Sequence, residues 1–345
     1  MAEHFWWGVV VILLGGAANG AFPLPMKYPR HWKWENTWLV FSVTALLVLP
    51  VILAVGFIPD LGGVYRSVPA RALFYPIMFG FLWGIAQTTF GLGLKALGMA
   101  LAFSIVAGLG ALVGSLVPLL WVNPADVLRP RGLLLLGSIP ILFLGLYLYA
   151  QAGRARDREH ATAAPTAGPS GMSFRAGLAI CIFTGVVGPS WNLGFALGGD
   201  VITKSLEQGA RAATASYAVW PLVLSAGFLA NFFYCVYLLF REKSWRLFAA
   251  AGWAREGALG VAMALLWLSG IVFYGLGAGL IGRYGTSVGF ALFVSAQILS
   301  SNTLGILAGE WRGTTPPTRR LLVLGVGIIV LSVIVLSLGG LFKTS

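Results

Sequence analysis

Residues Gln151–Gly171 read QAGRARDREHATAAPTAGPSG, and this stretch decides how the rest of the chain is organised. Charge, Ala, Pro and Gly crowd into it, which makes it too polar for the interior of a bilayer and marks a linker. With its flanks the linker is taken as residues 152–173. On either side lie long apolar runs. A membrane-crossing helix needs about 20 mostly apolar residues, because the hydrocarbon layer is about 30 Å thick. Ten stretches meet that need, at roughly 5–24, 38–58, 72–93, 98–121, 132–151, 174–198, 213–240, 257–281, 286–309 and 320–342. Five precede the linker and five follow it. If two five-span halves are homologous, they enter the membrane in opposite senses. The expected fold is therefore an all-α polytopic membrane protein with ten transmembrane helices, built as two inverted five-helix repeats. Its first repeat is residues 1–151, its linker is cytoplasmic, and its second repeat is residues 174–345.

Composition supports the membrane assignment. Of 345 residues, 58% are hydrophobic and only 10% charged. A soluble domain carries about 25% Asp, Glu, Lys and Arg. Forty-six Gly and 13 Trp suit a helix bundle in lipid, where Gly permits close backbone contact and Trp sits at the interfaces. The net charge of +12 arises between the apolar runs, as in loops facing anionic lipid, and implies a membrane-lipid partner and no nucleic acid. The first apolar run has no basic n-region and no small-x-small cleavage site, so it reads as a span and not a secretory signal. Cys181 and Cys235 both lie in apolar runs and define no disulfide framework. No G-x-S-x-G, H-E-x-x-H or helical His pair occurs, and His4, His31 and His160 all fall outside the spans. The chain is thus not expected to be an enzyme, and it needs no metal or organic cofactor.

Weak internal similarity agrees with a repeat. Leu97-Gly98-Met99-Ala100-Leu101-Ala102-Phe103 opens the fourth span as Tyr284-Gly285-Thr286-Ser287-Val288-Gly289-Phe290 opens the ninth. Asn19-Gly20-Ala21-Phe22 in the first span is echoed by Asn192-Leu193-Gly194-Phe195 in the sixth. Fifteen Lys and Arg fall on odd-numbered loops and the linker, against eight on even loops and termini, which places both termini outside.

Interruptions and uncharged polar groups point to a transport path. Pro23, Pro25, Pro50, Pro76, Pro118, Pro140, Pro189 and Pro221 are expected to bend or break spans, and Pro23 and Pro189 fall in expected repeat partners. Spacings such as Gly16/Gly20 and Gly80/Gly84 allow close helix packing. No Asp or Glu falls in the core of a span; Glu35 enters the second one, beside Lys27, within Trp32-Lys33-Trp34-Glu35. Asn and Gln are costlier to bury than Ser or Thr and need partners. Asn19, Gln87, Asn192, Asn231 and Gln297, with the indoles of Trp83 and Trp191, are the expected lining residues. Amides match hydroxyl donors and acceptors, and ring faces cover the C–H face of a sugar. For each position helix-to-helix bonding is the competing reading.

The run Pro25-Met26-Lys27 followed by Trp32-Lys33-Trp34-Glu35-Asn36-Thr37-Trp38 resembles the first loop of bacterial L-rhamnose–proton symporters, within the drug/metabolite transporter superfamily. Phe79-Gly80, Trp83-Gly84-Ile85, Gly91-Leu92, Leu97-Gly98-Met99, Gly114 and Pro118 agree, as do Asn231, Phe273-Tyr274 and Glu310-Trp311. The resemblance implies ten helices in inverted repeats, a small neutral sugar such as L-rhamnose as substrate and H+ as coupling ion. It also implies an inner-membrane location. The expected mechanism is alternating access about a midplane sugar site, with Tyr274 added to the lining and Glu35 with Lys27 as a pH-sensitive gate; monomer and homodimer both stay open. Thr286-Ser287-Val288-Gly289-Phe290 and Ser269-Gly270 depart from the family pattern. A non-coupled facilitator or exporter of another metabolite, or a non-transporting scaffold or sensor, are the alternatives.

Overall fold

The structure, a computed structural model, describes residues 2–121, 127–163, 172–211, 214–281 and 288–338. Thr286 and Ser287 lie outside the described residues. Hydrocarbon offers no hydrogen-bond partners, so an apolar chain satisfies its backbone within helices. Every regular element among the described residues is helical. In chain order the principal ones are α1 (Ala2–Ala21), α2 (Trp34–Phe57), α3 (Ala70–Leu97), α4 (Met99–Trp121) and α5 (Pro130–Ala163), then α6 (Phe174–Val187), α7 (Trp220–Arg241), α8 (Trp253–Ile281), α9 (Val288–Leu307) and α10 (Pro316–Leu338). Seven apolar helical runs, starting at Trp6, Trp34, Ala70, Gly132, Ala215, Trp253 and Pro316, are long and apolar enough to cross a membrane. Three shorter ones, Leu101–Val113, Phe174–Val187 and Leu292–Leu307, coincide with the fourth, sixth and ninth expected spans.

Proline sets the interruptions. Helix α1 stops at Ala21, before Pro23, and a 3-10 turn follows over Leu24–Lys27. Helix α6 stops at Val187, and a short helix resumes at Ser190–Leu197, after Gly188-Pro189. Within α2 the backbone widens into a π-turn over Val43–Val48, just ahead of Pro50. Proline has no N–H to give the carbonyl four residues back, and its ring crowds that carbonyl. Here that carbonyl belongs to Leu46, and the Ser225 hydroxyl donates to it at 3.4 Å. Pro76 and Pro140 lie inside α3 and α5, and Pro221 falls in the first turn of α7, where its missing N–H costs nothing.

The linker begins later than its composition suggests. Helix α5 runs past the apolar stretch to Ala163. Ala, Arg, Gln and Glu are good helix formers, so a helix leaving the hydrocarbon has no reason to stop there. Two contacts hold the extension. Glu159 accepts from the Thr315 N–H at 2.9 Å and from the hydroxyls of Thr315 and Thr318. Buried Arg156 donates to the Leu97 carbonyl at 3.2 Å, its guanidinium lying over the Trp311 ring.

The chain forms two compact units. One comprises Met1–Leu24, Leu92–Val186 and Leu266–Ser345; the other comprises Pro25–Gly91 and Val187–Leu265. In the first, α5 packs along α10 and α1 along α9. Glycine permits both contacts: a Cβ on Gly325 would sit 2.9 Å from the Tyr149 nitrogen, and one on Gly16 would overlap the Phe293 carbonyl. In the second, α7 packs on α2, and Gly80 and Gly84 of α3 meet the backbone of Val223 and Gly227. Each unit takes segments from both sides of the linker, and each half of the chain is cut in the same order. The cuts fall at 24/25 and 186/187, in the first and sixth expected spans, and at 91/92 and 265/266, in the third and eighth.

Candidate functional site

In the second unit, aromatic and amide side chains gather where α2, α3 and α7 meet. Trp34 and Trp38, one turn apart, stack at 5.3 Å between centroids with planes 15° apart. Both indoles lie against Gly91 of α3, where a side chain would collide with their rings. The Trp38 N–H donates to Asn231 Oδ1 at 2.8 Å. Asn231 Nδ2 in turn donates to the Gly227 carbonyl at 3.0 Å and the Gly84 carbonyl at 3.2 Å. Trp83 lies against Gly227, whose missing side chain leaves room for the indole. Gln87 follows Trp83 by one turn and is buried. Trp191 is half-buried at the start of the short helix Ser190–Leu197; the Asn192 side chain lies outside the described residues.

Asn231 thus ties α7 to α2 and α3. Gln87 differs: its Nε2 is buried without a hydrogen-bond partner, and so are Trp34 Nε1, Thr37 Oγ1 and Ser42 Oγ. Trp34 and Thr37 escape notice in the sequence because an interfacial Trp run reads as an anchor and a helical Thr as self-bonded.

The first unit holds its own pair. Gln297 Nε2 donates to Asn19 Oδ1 at 2.5 Å, and Asn19 Nδ2 donates to the Trp267 carbonyl at 3.1 Å. Residues 278 apart in sequence are thus joined between α1 and α9. Tyr274 is half-buried, its ring 5.1 Å from that of Phe293. A buried network unseen in the sequence lies in the same unit. The Tyr149 hydroxyl donates to Asn302 Oδ1 at 2.5 Å, and Asn302 Nδ2 donates to Ser104 Oγ at 2.8 Å. Tyr149 stands in the apolar run Ile141–Ala150, where no motif marks it.

Two acids are buried among the described residues, Glu35 at 3% exposure and Glu256 at 2%. Glu256 is well provided: it accepts from the Arg30 N–H at 3.0 Å and pairs with Arg255 at 3.3 Å. Glu35, in the first turn of α2, accepts one hydrogen bond, from the Ser244 hydroxyl at 2.5 Å. Ser244 is fixed from its other side, since Asn36 Nδ2 donates to its carbonyl at 3.0 Å. The neighbouring Lys33 turns instead to Glu242, at 3.3 Å. Lys27 is exposed at the end of the turn Leu24–Lys27. The partner given to Glu35 is thus Ser244, the first residue of the 3-10 helix Ser244–Ala249, which sequence reading had no reason to single out. A groove of about 800 Å³ lined by Trp32, Val40, Phe248, Trp253, Val261 and Leu265 is almost wholly apolar and offers a sugar nothing to bond. Among the described residues no cluster of His, Cys, Asp and Glu could hold a metal ion.

Long apolar helices with amides and a carboxylate buried among them define a multi-pass membrane protein. The family model described as L-rhamnose-proton symport protein matches residues 1–341. The chain belongs to that family, which is one of transporters and not of enzymes. It is similar to the L-rhamnose-proton symporter of Cronobacter sakazakii, 27% identical with 96% of each chain covered. It is also similar to those of Klebsiella pneumoniae subsp. pneumoniae, at 26%, and Yersinia pestis, at 25%, each match covering 96% of this chain and 97% of the relative.

Proposed function

We propose that this protein carries L-rhamnose together with a proton across the bacterial inner membrane by alternating access. The observation that carries the coupled part of this reading is Glu35. A buried charge is costly unless it is paired, and acids inside membrane helices mark ion paths. Glu256 has a guanidinium beside it, whereas Glu35 has a hydroxyl, so the coupling proton is assigned to Glu35. An ionised Glu35 holds Ser244 by a charge-assisted bond, and protonation weakens that bond. A proton that binds one facing state better than the other shifts the balance between them, which is what coupling requires. Lys27 stands as the exposed cation of the same gate.

The ten spans as two inverted repeats remain the reading of the architecture. Matching interruptions after α1 and within the sixth span support it, as does the shared order in which the two halves are divided between the units. The excess of Lys and Arg on odd-numbered loops supports both termini outside. Asn19, Trp83, Gln87, Trp191, Asn192, Asn231, Tyr274 and Gln297 are the proposed sugar-side residues, with Asn231 acting through Trp38 and not by direct contact.

Glu35→Gln tests the coupling. The substitution keeps size and the bond to Ser244 but cannot change charge. Expected in proteoliposomes is full exchange of labelled L-rhamnose with no accumulation under an imposed pH gradient. Accumulation equal to that of the unmodified protein would remove Glu35 from the mechanism.

A further inference from the structure

More than nine in ten buried polar groups in folded proteins find a hydrogen-bond partner, and hydrocarbon supplies no water for those that do not. The second unit follows this rule where side chains brace helices. Asn231 makes three bonds, Asn36 ties α2 to Ser244, Trp32 donates to the Leu247 carbonyl and Thr88 bonds the Gly84 carbonyl. Against that background five side-chain atoms of this unit are buried and unpartnered, Trp34 Nε1, Thr37 Oγ1, Ser42 Oγ, Gln87 Nε2 and Gln208 Oε1; of these residues Trp34, Thr37 and Gln87 are exposed by only 9%, 1% and 7%.

Their placement is ordered. Trp34 and Thr37 are three residues apart, on one side of α2. Gln87 and Gly91 are four apart, on one side of α3, and Gly91 is where the Trp34 and Trp38 indoles touch that helix. Trp34 and Gln87 thus lie on the sides of α2 and α3 that meet, and Thr37 follows Trp34 by one turn of α2. Together they offer an indole N–H, an amide NH2 and a hydroxyl, beside two stacked indole faces. A ring compound with several hydroxyls matches that set: its oxygens accept from the donors and its C–H face covers an aromatic ring.

We infer that Trp34, Thr37 and Gln87 form a sugar-binding subsite and bond the hydroxyls of the transported sugar, an assignment that rests on the L-rhamnose reading above. Trp34 directly precedes Glu35. One turn of α2 therefore presents sugar donors on one side and, on the other, the carboxylate held by Ser244. Sugar and proton act on the same helical turn, so coupling needs no long-range relay.

The subsite separates binding from packing in a measurable way. Thr37→Val and Gln87→Leu each remove the polar group and keep the bulk, whereas no substitution of Trp34 removes its N–H without also shrinking the ring stacked on Trp38. A group with no protein partner contributes nothing to packing when removed. Each variant is therefore expected to raise the L-rhamnose KM about tenfold, the loss of one hydrogen bond of about 1.4 kcal/mol. Thermal stability should stay level or rise, and the pH midpoint of uptake should not move. Unchanged KM in variants of a protein that does transport L-rhamnose would overturn the subsite and leave the transport reading intact. Competition on the unmodified protein by singly deoxygenated L-rhamnose analogues gives a test independent of variant folding. At least one analogue should compete about tenfold more weakly than L-rhamnose, and equal competition by all of them would also overturn the subsite. Unmodified protein that neither binds nor moves L-rhamnose would overturn the transport reading, and the subsite with it.

Discussion

At the scale of single residues, the structure sorts polar side chains by whether the protein already answers them. Asn231 is answered in full, by Trp38, Gly84 and Gly227. Asn231→Leu would strand the Trp38 N–H in a dry interior, a cost of about 1–3 kcal/mol. The expected result is a thermal transition several degrees lower in detergent. A transition unchanged from that of the unmodified protein would mean the three bonds contribute nothing. That Asn and Gln would matter was legible from the expense of burying them. Which of them bind and which brace was not legible, because the answer lies in partners far away in sequence, such as Trp38 for Asn231 and Gln297 for Asn19. Trp34 and Thr37 stayed hidden for the converse reason: what distinguishes them is a missing partner, and absence leaves no motif.

Among elements, the decisive contact is α3 on α7. A Cβ on Gly84 would overlap the carbonyl oxygen of Gly227, and one on Gly80 that of Val223; both obstacles are helix backbone and cannot rotate away. Gly84→Ala should therefore part the two helices and destabilise by about 1–3 kcal/mol, as overpacking does. Gly56→Ala, whose Cβ would have nothing within 4 Å, should be tolerated or gain about 0.5–1 kcal/mol from better helix propensity. Similar melting temperatures for the two variants would contradict this picture of close backbone packing. The positions of the helices were legible because hydrocarbon thickness imposes a length on any apolar run. Their ends were less so. Helix α5 outlasts its apolar run because Arg156 and Glu159 find partners at Leu97, Thr315 and Thr318. Such contacts are invisible to hydropathy.

On the scale of the whole molecule, the linker at Gln151–Gly171 was enough to divide the apolar runs five and five. The grouping of segments 25–91 with 187–265 was not legible, since hydropathy records that a helix is buried in lipid and not which neighbour it chooses. Orientation is open to a direct check. With both termini outside, an impermeant maleimide should label Ser345→Cys in intact cells and Arg154→Cys only in inside-out vesicles; the reverse pattern would invert the topology. The most direct test of the account is uptake of labelled L-rhamnose into proteoliposomes of the purified full chain, with and without an imposed pH gradient. Accumulation above the external concentration that a protonophore abolishes is the expected result. Simple equilibration, indifferent to the gradient, would contradict proton-coupled transport.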